Sequence, residues 1–241
     1  MKHIPNIIPS LNLASGFTAI VFILNGDPLT ACWIILAAMV FDFLDGFASR
    51  LLNAYSELGK ELDSLADLVS FGTAPGLIIY NLLADSVRTS VDTSLPGMVN
   101  LMFVGVSALM PVCAGLRLAR FNIDPLPKTY FRGLPSPANA LAVISLILAA
   151  RYGNSEVINE LIMSPSAIIL YSLALSLLMV THIPLQSLKF TDYRISTNIP
   201  RYILIILSVL LIVIMGIGGI ILIIPAYIII SIIFQSYRSD S

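Results

Sequence analysis

Long apolar runs are the feature that most constrains how this 241-residue chain can fold. A helix of about 20 mostly apolar residues is long enough to cross a lipid bilayer. By that measure there are eight candidate spans, at residues 7–25, 30–50, 62–84, 97–119, 136–152, 165–182, 200–216 and 218–236. Composition agrees, because 57% of the residues are hydrophobic and 11% are charged, far below the charged share of soluble domains. The sequence therefore predicts an all-α, polytopic integral membrane helical bundle with about eight transmembrane helices.

The apolar runs follow one another without a soluble domain between them, so residues 1–241 are predicted to form a single membrane domain. The last two spans are separated only by a glycine-rich tight turn at residues 216–219. Cys32 and Cys113 lie within apolar runs and are predicted to be small core residues, not a disulfide. The net charge of −1 argues against nucleic acid as a partner.

The distribution of basic residues predicts the orientation in the membrane. Of the 13 lysines and arginines, all but Arg88 and Arg151 lie near span ends on one side. Basic residues near span ends favour the cytoplasmic side. Both termini and the loops at 50–62, 118–135 and 183–200 are therefore predicted to be cytoplasmic, in a protein of the cytoplasmic membrane. Trp33 falls near the outer end of the second span, where an interfacial anchor and a packing role are both open.

Four aspartates interrupt the apolar pattern around the second and third spans. Residues three, four and seven apart share a face of a helix. Asp42 and Asp45 share such a face at the cytoplasmic end of the second span, and Asp63 and Asp67 share one at the start of the third. A short loop joins the two spans, so antiparallel packing would oppose these faces. All four carboxylates are then predicted to meet just beneath the cytoplasmic surface.

The depth of these carboxylates makes them costly. Asp42 and Asp67 lie about 10–12 Å inside Arg50 and Lys60, at 1.5 Å per helical residue. Each aspartate costs about 2.5–3.5 kcal/mol at the centre of a membrane helix, and four cost about 10 kcal/mol. Two nearby cations cannot neutralise four anions. Protonation would lower the charge, as in proton carriers, whereas two divalent cations would cancel it.

The chemistry of the donors favours the divalent cations. Carboxylate oxygens without histidine or cysteine suit Mg²⁺ or Mn²⁺ and argue against zinc. Two such ions held close together are typical of in-line displacement at phosphorus. The small residue Gly46 would let a ligand approach the cations closely.

The spacing of these residues resembles the signature of the CDP-alcohol phosphotransferase family, D-x2-D-G-x2-A-R-x8-G-x3-D-x3-D. Seven of its eight fixed positions are present: Asp42, Asp45, Gly46, Arg50, Gly59, Asp63 and Asp67. Ser49 stands where the family has alanine. The stretches SFGTAP (70–75), RLARFN (117–122) and FRGLPSPANA (131–140), with the opening IPNIIPSLNLASG, resemble the phosphatidylserine synthase branch.

The resemblance implies a reaction and a domain plan. The implied reaction transfers a phosphatidyl group from CDP-diacylglycerol to the hydroxyl of L-serine and releases CMP, with two divalent cations as cofactors. Residues 1–182 would form a catalytic six-helix core and residues 183–241 two additional transmembrane helices. Family members also imply a homodimer. The site would face the cytoplasm, where a lipid-anchored and a water-soluble substrate can meet.

The resemblance also implies roles for individual residues. Asp42, Asp45, Asp63 and Asp67 would hold the two metals, and Asp67 is the candidate general base. The residues implied to bind cytidine diphosphate are Asp45, Gly46, Ser49, Arg50 and Gly59. The residues implied to bind the lipid phosphate or serine are Ser70, Arg117, Arg120 and Asn122. Charge anchoring at the membrane surface stays open for the two arginines, and helix packing stays open for Ser70.

Two alternatives are weighed against this assignment. Within the same chemistry, the acceptor would be glycerol 3-phosphate or inositol instead of serine. In a different class, the chain would be a cation transporter with the acids as ion ligands. Transporters usually carry interrupted helices in both halves, whereas here the acids cluster in the second and third spans, which disfavours the transporter.

Overall fold

The computed structural model describes residues 4–51, 56–88, 97–123, 130–153, 156–186 and 195–239. Its helices are α1 (Ile4–Leu24), α2 (Pro28–Leu51), α3 (Glu57–Asp67), α4 (Ala74–Arg88), α5 (Gly97–Ile123), α6 (Ser136–Tyr152), α7 (Glu156–Met163), α8 (Pro165–Val180), α9 (Ile195–Met215) and α10 (Ile223–Ser239). A π-helical turn, Leu68–Thr73, joins α3 to α4, and a 3₁₀ helix, Gly216–Leu222, joins α9 to α10. Two three-residue strands, β1 (Tyr130–Arg132) and β2 (Pro184–Gln186), pair antiparallel. The predicted all-α class is confirmed.

The α1–α2 hairpin is closed by a compact set of capping interactions. Gly26 has a φ of +78°, and the amides of Gly26 and Asp27 donate to the carbonyls of Ile23 and Phe22. This is a Schellman ending, which needs a left-handed residue after the helix. The next helix starts at once, because Asp27 Oδ1 accepts the amide of Thr30 at 3.0 Å. Hydrogen bonds from Thr30 lower the pKa of the Asp27 carboxyl, as expected for a carboxylate at a helix N-terminus.

The third membrane helix is a continuous rod made of α3, the π-helical turn and α4. It covers a 31-residue apolar stretch, Glu57–Val87. Ser56 begins it, because its Oγ accepts the amide of Gly59 at 2.9 Å. Gly72 and Gly76 let α5 approach closely: a Cβ at Gly72 would lie 3.0 Å from the Ala114 Cβ, and one at Gly76 would lie 3.0 Å from the Ser107 carbonyl oxygen. Small residues four apart are a common way to pack membrane helices closely.

Helix α6 lies at the centre of the bundle. Eleven of its 17 residues are buried, including Asn139, Ile144 and Leu148. It contacts α2, α4, α8, the π-helical turn and the 3₁₀ helix. A helix that is apolar on every side is expected in such a buried position. Pro135 and Pro137 flank its first residue, as expected at a helix N-terminus.

The β1–β2 ribbon ties the segment before α6 to the segment after α8. Phe131 pairs with Leu185, and the amide of Gly133 donates to the Ile183 carbonyl at 2.9 Å. Gly133 has a φ of +77°, and a Cβ there would overlap the Met179 carbonyl oxygen. Only glycine both adopts this positive φ without strain and leaves room for the Met179 carbonyl oxygen. The ribbon therefore places two loops that the sequence predicts to be cytoplasmic at the same end of the bundle.

The last two apolar runs fold back on each other. Gly216 has a φ of +64°, and a Cβ at Gly219 would overlap the carbonyl oxygen of Leu211. Residues eight apart in a straight helix are separated by about 12 Å, so the chain reverses here. The tip of the hairpin meets the end of α6, where a Cβ at Gly218 would lie 3.0 Å from the Gly153 Cα.

The number of membrane crossings depends on how the bent and shorter helices are counted. By length and composition, five helices among the described residues can cross a membrane, or six if the bent pair α7–α8 counts as one span. Helices α7 and α8 meet at an angle of 89°, which the sequence did not predict. Helix α6 is shorter, at 17 residues, and one apolar stretch, Asn198–Phe234, contains both of the last predicted spans. The count of eight stays a prediction.

Candidate active site

The carboxylates of α2 and α3 converge, as the helical spacing predicts. One carboxylate oxygen each from Asp42, Asp63 and Asp67 lies within 4.8 Å of the others. Asp45 joins them, since its carboxyl lies close enough to that of Asp63 for a hydrogen bond. It also lies close enough to the carboxyl of Asp42 for the two charges to repel each other. These four residues are called the aspartate cluster below. Four carboxylates from two helices thus share one small volume.

A third helix holds the two acidic helices at this separation. Helix α1 packs against both α2 and α3, whereas α2 and α3 make few direct backbone contacts with each other. The surface of α2 is open at Gly46, because a Cβ there would meet no atom of the described residues within 4 Å. Gly46 follows Asp45 directly, so this open space lies beside the aspartate cluster and leaves room for a ligand.

The donor set fits divalent cations. It consists of carboxylate oxygens, the hard ligands that Mg²⁺ and Mn²⁺ prefer. Oδ2 of Asp45 is buried and has no hydrogen-bond partner among the described residues, which is costly unless a positive group binds it. Arg117 lies within electrostatic reach of Asp67 and Asp42, but one guanidinium leaves most of the negative charge of four carboxylates uncompensated. Like charges this close repel strongly inside a membrane, and cations would relieve that repulsion.

The π-helical turn directly after Asp67 is fixed by polar side chains. Ser70 Oγ donates to the Asn12 carbonyl at 2.9 Å, and Asn139 Nδ2 donates to the Phe71 carbonyl at 3.4 Å. Thr73 Oγ1 donates to the Leu68 carbonyl at 3.1 Å. Single π-helical turns are frequent at functional sites. Here the turn anchors the end of α3, and with it Asp67, to α1 and α6.

The residues implied to bind the nucleotide lie on the two helices that carry the aspartates. Gly46 lies beside the aspartate cluster, at a point of α2 with free space around it. Ser49 and Arg50 lie in the last turn of α2, and their side chains are outside the described part of the structure. Gly59 lies in the first turn of α3. Their roles stay predictions.

The residues implied to bind serine or lipid phosphate separate into two groups. Arg117 is next to the aspartate cluster, and its Nη1 donates to Ser136 Oγ at 3.2 Å. Ser70 is fully buried and makes the helix-packing contact described above, the role that the sequence left open for it.

Arg120 and Asn122 lie in the last turn of α5, at one end of the bundle. Arg120 is exposed and donates to the Val180 carbonyl at 3.3 Å. Asn122 Nδ2 donates to Ser64 Oγ at 2.9 Å, and its carbonyl accepts Lys60 Nζ at 3.2 Å. These contacts connect the end of α5 to the start of α3. The C-terminal end of α5 and the N-terminal part of α3 therefore lie at the same end of the bundle.

Two residues that the sequence did not single out also lie at the site. Asn12 of α1 is fully buried and donates from Nδ2 to Asp67 Oδ1 at 3.3 Å. Tyr227 of α10 is 3% exposed and lies within electrostatic reach of Arg117. The signal for Asn12 was a polar residue in an apolar span, which is costly in a membrane. Tyr227 was not recognised because a single tyrosine in the isoleucine-rich α10 does not interrupt the apolar pattern.

Comparison with known proteins defines the class. The sequence profile of the family described as CDP-alcohol phosphatidyltransferase matches residues 2–233. The chain belongs to this family, which confirms the family predicted from the aspartate motif. The same comparison supports an integral membrane protein with phospholipid chemistry.

Several relatives of the chain are named CDP-diacylglycerol–serine O-phosphatidyltransferase. The Mycobacterium leprae protein of that name is 37% identical over 154 residues, which are 61% of this chain and 47% of that protein. The Helicobacter pylori protein is 32% identical over 213 residues, 84% of this chain and 78% of that protein. The Saccharomyces cerevisiae protein is 41% identical over 167 residues, 63% of this chain and 55% of that protein. The chain thus spans about half the length of several of the curated relatives it matches.

Proposed function

We propose that the protein transfers the phosphatidyl group of CDP-diacylglycerol to the hydroxyl of L-serine, giving phosphatidylserine and CMP. The observation that carries this proposal is the convergence of Asp42, Asp63 and Asp67 within 4.8 Å in a member of this family. The assignment of serine rests on the motifs outside the aspartate cluster and on the shared name of the relatives.

The aspartate cluster would hold two divalent cations, Mg²⁺ or Mn²⁺. When bound, such cations stabilise the charge on the transferring phosphoryl group and on the departing CMP. In the proposed reaction the serine hydroxyl oxygen forms a bond to the phosphatidyl phosphorus, and the bond from that phosphorus to the CMP oxygen breaks.

Asp67 is proposed to accept the proton that the serine hydroxyl loses. It is 7% exposed, so water is largely excluded from its carboxylate. A carboxylate is a weak base for an alcohol, and proton transfer late in the reaction suits it best. Asn12 holds one oxygen of this carboxylate, so its orientation is set before substrate arrives.

Substrate positioning would come from the remaining residues. Asp45, Gly46, Ser49, Arg50 and Gly59 are proposed to surround the cytidine diphosphate, with the planar guanidinium of Arg50 on phosphate. Arg117 is proposed to bind the serine carboxylate, because it is the arginine next to the aspartate cluster. Arg120, Asn122 and Ser70 would contribute only indirectly, through the contacts that shape this end of the bundle.

We further propose that the site faces the cytoplasm from the cytoplasmic membrane, with both termini cytoplasmic. The excess of basic residues on one side supports this orientation. The Lys60–Asn122 contact and the β1–β2 ribbon join three basic loops at one end. Trp33 and Tyr152, both partly exposed, make an edge-to-face contact with ring centroids 6.4 Å apart, as suits an aromatic belt at the other end.

The domain plan and the homodimer are kept as proposals from the resemblance. Residues 1–182 would form the catalytic core, and residues 183–241 the added hairpin. The position of Tyr227 near Arg117 suggests that this hairpin supports the site as well as the bundle.

An acceptor panel tests the proposed reaction. Purified protein with CDP-diacylglycerol and Mn²⁺ is offered serine, glycerol 3-phosphate, inositol or buffer, and CMP release is followed. The Asp63→Asn protein serves as the matched background. Release that depends on serine supports the proposal. Release that responds to glycerol 3-phosphate or inositol and ignores serine would refute the acceptor while leaving the phosphatidyl transfer in place.

A further inference from the structure

One side chain of α1 reaches the aspartate cluster. Asn12 is fully buried, and its Nδ2 donates to Asp67 Oδ1 at 3.3 Å. Two other polar side chains of α1 behave differently, because Ser15 and Thr18 donate to carbonyls of their own helix. Asn12 is therefore a side chain by which α1 touches a carboxylate of the aspartate cluster.

Packing alone does not account for an asparagine at this position. Its Oδ1 is buried and has no hydrogen-bond partner among the described residues. Burying an unpaired amide oxygen is unfavourable, and an apolar residue of similar size would fill the same space without that penalty. What an apolar residue cannot supply is a donor to Asp67.

A second asparagine shows what a purely structural contact between the same helices looks like. Asn81 of α4 donates from Nδ2 to the Ile23 carbonyl at 3.1 Å. This bond also fastens α1 to the third membrane helix, but it ends on a backbone carbonyl in the last turn of α1. Both asparagines thus join α1 to the third membrane helix through a side-chain amide. They differ in the acceptor of the hydrogen bond, which is a carboxylate for Asn12 and a backbone carbonyl for Asn81.

A neutral donor on one carboxylate oxygen has a specific consequence. Because the Asn12 amide binds Oδ1 of Asp67, rotation of the Asp67 carboxylate is restricted. The other carboxylate oxygen, Oδ2, keeps its lone pairs free to bind a cation. The amide adds no positive charge, so it does not compete with a cation as the Arg117 guanidinium would. Residues that orient metal ligands in this way typically change metal affinity or activity by 10- to 100-fold when replaced.

We propose that Asn12 is a positioning residue that orients the Asp67 carboxylate and thereby sets the divalent-cation affinity of the aspartate cluster. This inference rests on the proposed function in one respect, the binding of divalent cations by that cluster. It does not depend on which alcohol is the acceptor.

The test is Mn²⁺ binding by the purified full-length protein, with free Mn²⁺ measured by electron paramagnetic resonance. Asn12→Leu and Asn12→Ala are compared with wild type and with Asn81→Leu, which removes the same kind of amide from the same helix pair. Both Asn12 variants should bind Mn²⁺ about 10- to 100-fold more weakly, and Asn81→Leu should bind like wild type. In turnover, excess Mn²⁺ should restore much of the rate of the Asn12 variants, which a misfolded site would not allow.

Each outcome decides the matter. Asn12 variants that bind Mn²⁺ like wild type, or an Asn81→Leu protein that is weakened equally, would overturn the positioning role. If neither Asn12 variant folds while Asn81→Leu does, the role of Asn12 would be in folding and not in positioning Asp67. A wild-type protein that binds no Mn²⁺ would contradict the proposed function itself, and that result is distinct from all the others.

Discussion

At the scale of single residues, the four carboxylates of the aspartate cluster have different surroundings. Asp67 is 7% exposed, whereas Asp42, Asp45 and Asp63 are only partly buried. The Asn12 amide and the nearby Arg117 both approach Asp67. This difference in surroundings is the physical basis for giving Asp67 a role beyond that of a ligand.

Replacing single aspartates should separate these roles. Asp42→Asn and Asp63→Asn should each lower the rate of CMP release by about 100-fold or more, since losing one preorganised group of a catalytic centre costs that much. Asp67→Asn should be as inactive but should retain CDP-diacylglycerol binding better than the other two. Asp85→Asn, an exposed aspartate on the same membrane rod, is the matched control and should behave like wild type. Equal loss of CDP-diacylglycerol binding in all three cluster variants would argue against a distinct role for Asp67.

The arginine next to the aspartate cluster should control the affinity for serine. Arg117→Lys keeps the charge but loses the planar fork, so the KM for serine should rise by about 10- to 100-fold, the loss of one charge-assisted hydrogen bond. The KM for CDP-diacylglycerol should change much less. Arg151→Lys, at the opposite end of the bundle, is the control. A larger rise in the KM for serine in Arg120→Lys than in Arg117→Lys would move the carboxylate site to Arg120.

At the scale of secondary-structure elements, the glycine before α6 is under the tightest constraint. Gly133 has a positive φ, and a side chain there would overlap two carbonyl oxygens of the last turn of α8. Gly133→Ala should therefore destabilise the protein by about 1–3 kcal/mol, the cost of a strained backbone. Gly105→Ala in α5, where a Cβ would meet no atom within 4 Å, is the matched control.

The measurement is the fraction of detergent-solubilised protein that stays monodisperse after heating, read by size-exclusion chromatography. Gly133→Ala should lose the monodisperse peak at a lower temperature than wild type, and Gly105→Ala should not. Equal thermal stability of the two variants would mean that the β1–β2 ribbon adjusts to a side chain without strain.

The elements also show how far sequence reasoning reaches. Helical spacing predicted that Asp63 and Asp67 share a face of α3, and the short connection to α2 predicted that Asp42 would meet them by antiparallel packing. The π-helical turn and the Asn12–Asp67 bond were not predicted, since each depends on partners 55 or more residues away. The bend between α7 and α8 was missed for a related reason. The eight-residue α7 carries Glu156 and Glu160 and is too short to stand out as an apolar run, so its angle to α8 depends on tertiary packing.

At the scale of the whole molecule, the proposed orientation in the membrane rests on the distribution of charge and is open to direct test. Cysteines introduced at residues 90 and 154, which lie outside the described ranges, should react with an impermeant thiol reagent added to intact cells. A cysteine introduced at Asn122 should not react. The native Cys32 and Cys113 are buried, so they should contribute little background. The reverse labelling pattern would place the aspartate cluster on the outer side.

The central claim is that the aspartate cluster works by binding divalent cations, and the most direct measurement is turnover after metal removal. Purified protein is stripped with EDTA, and CMP release from CDP-diacylglycerol and serine is measured with EDTA in excess and after Mg²⁺ or Mn²⁺ is restored. We predict no turnover in EDTA and recovery with either cation, because the guanidinium of Arg117 offsets only part of the negative charge of four carboxylates. Full turnover by the stripped protein in excess EDTA would contradict the account.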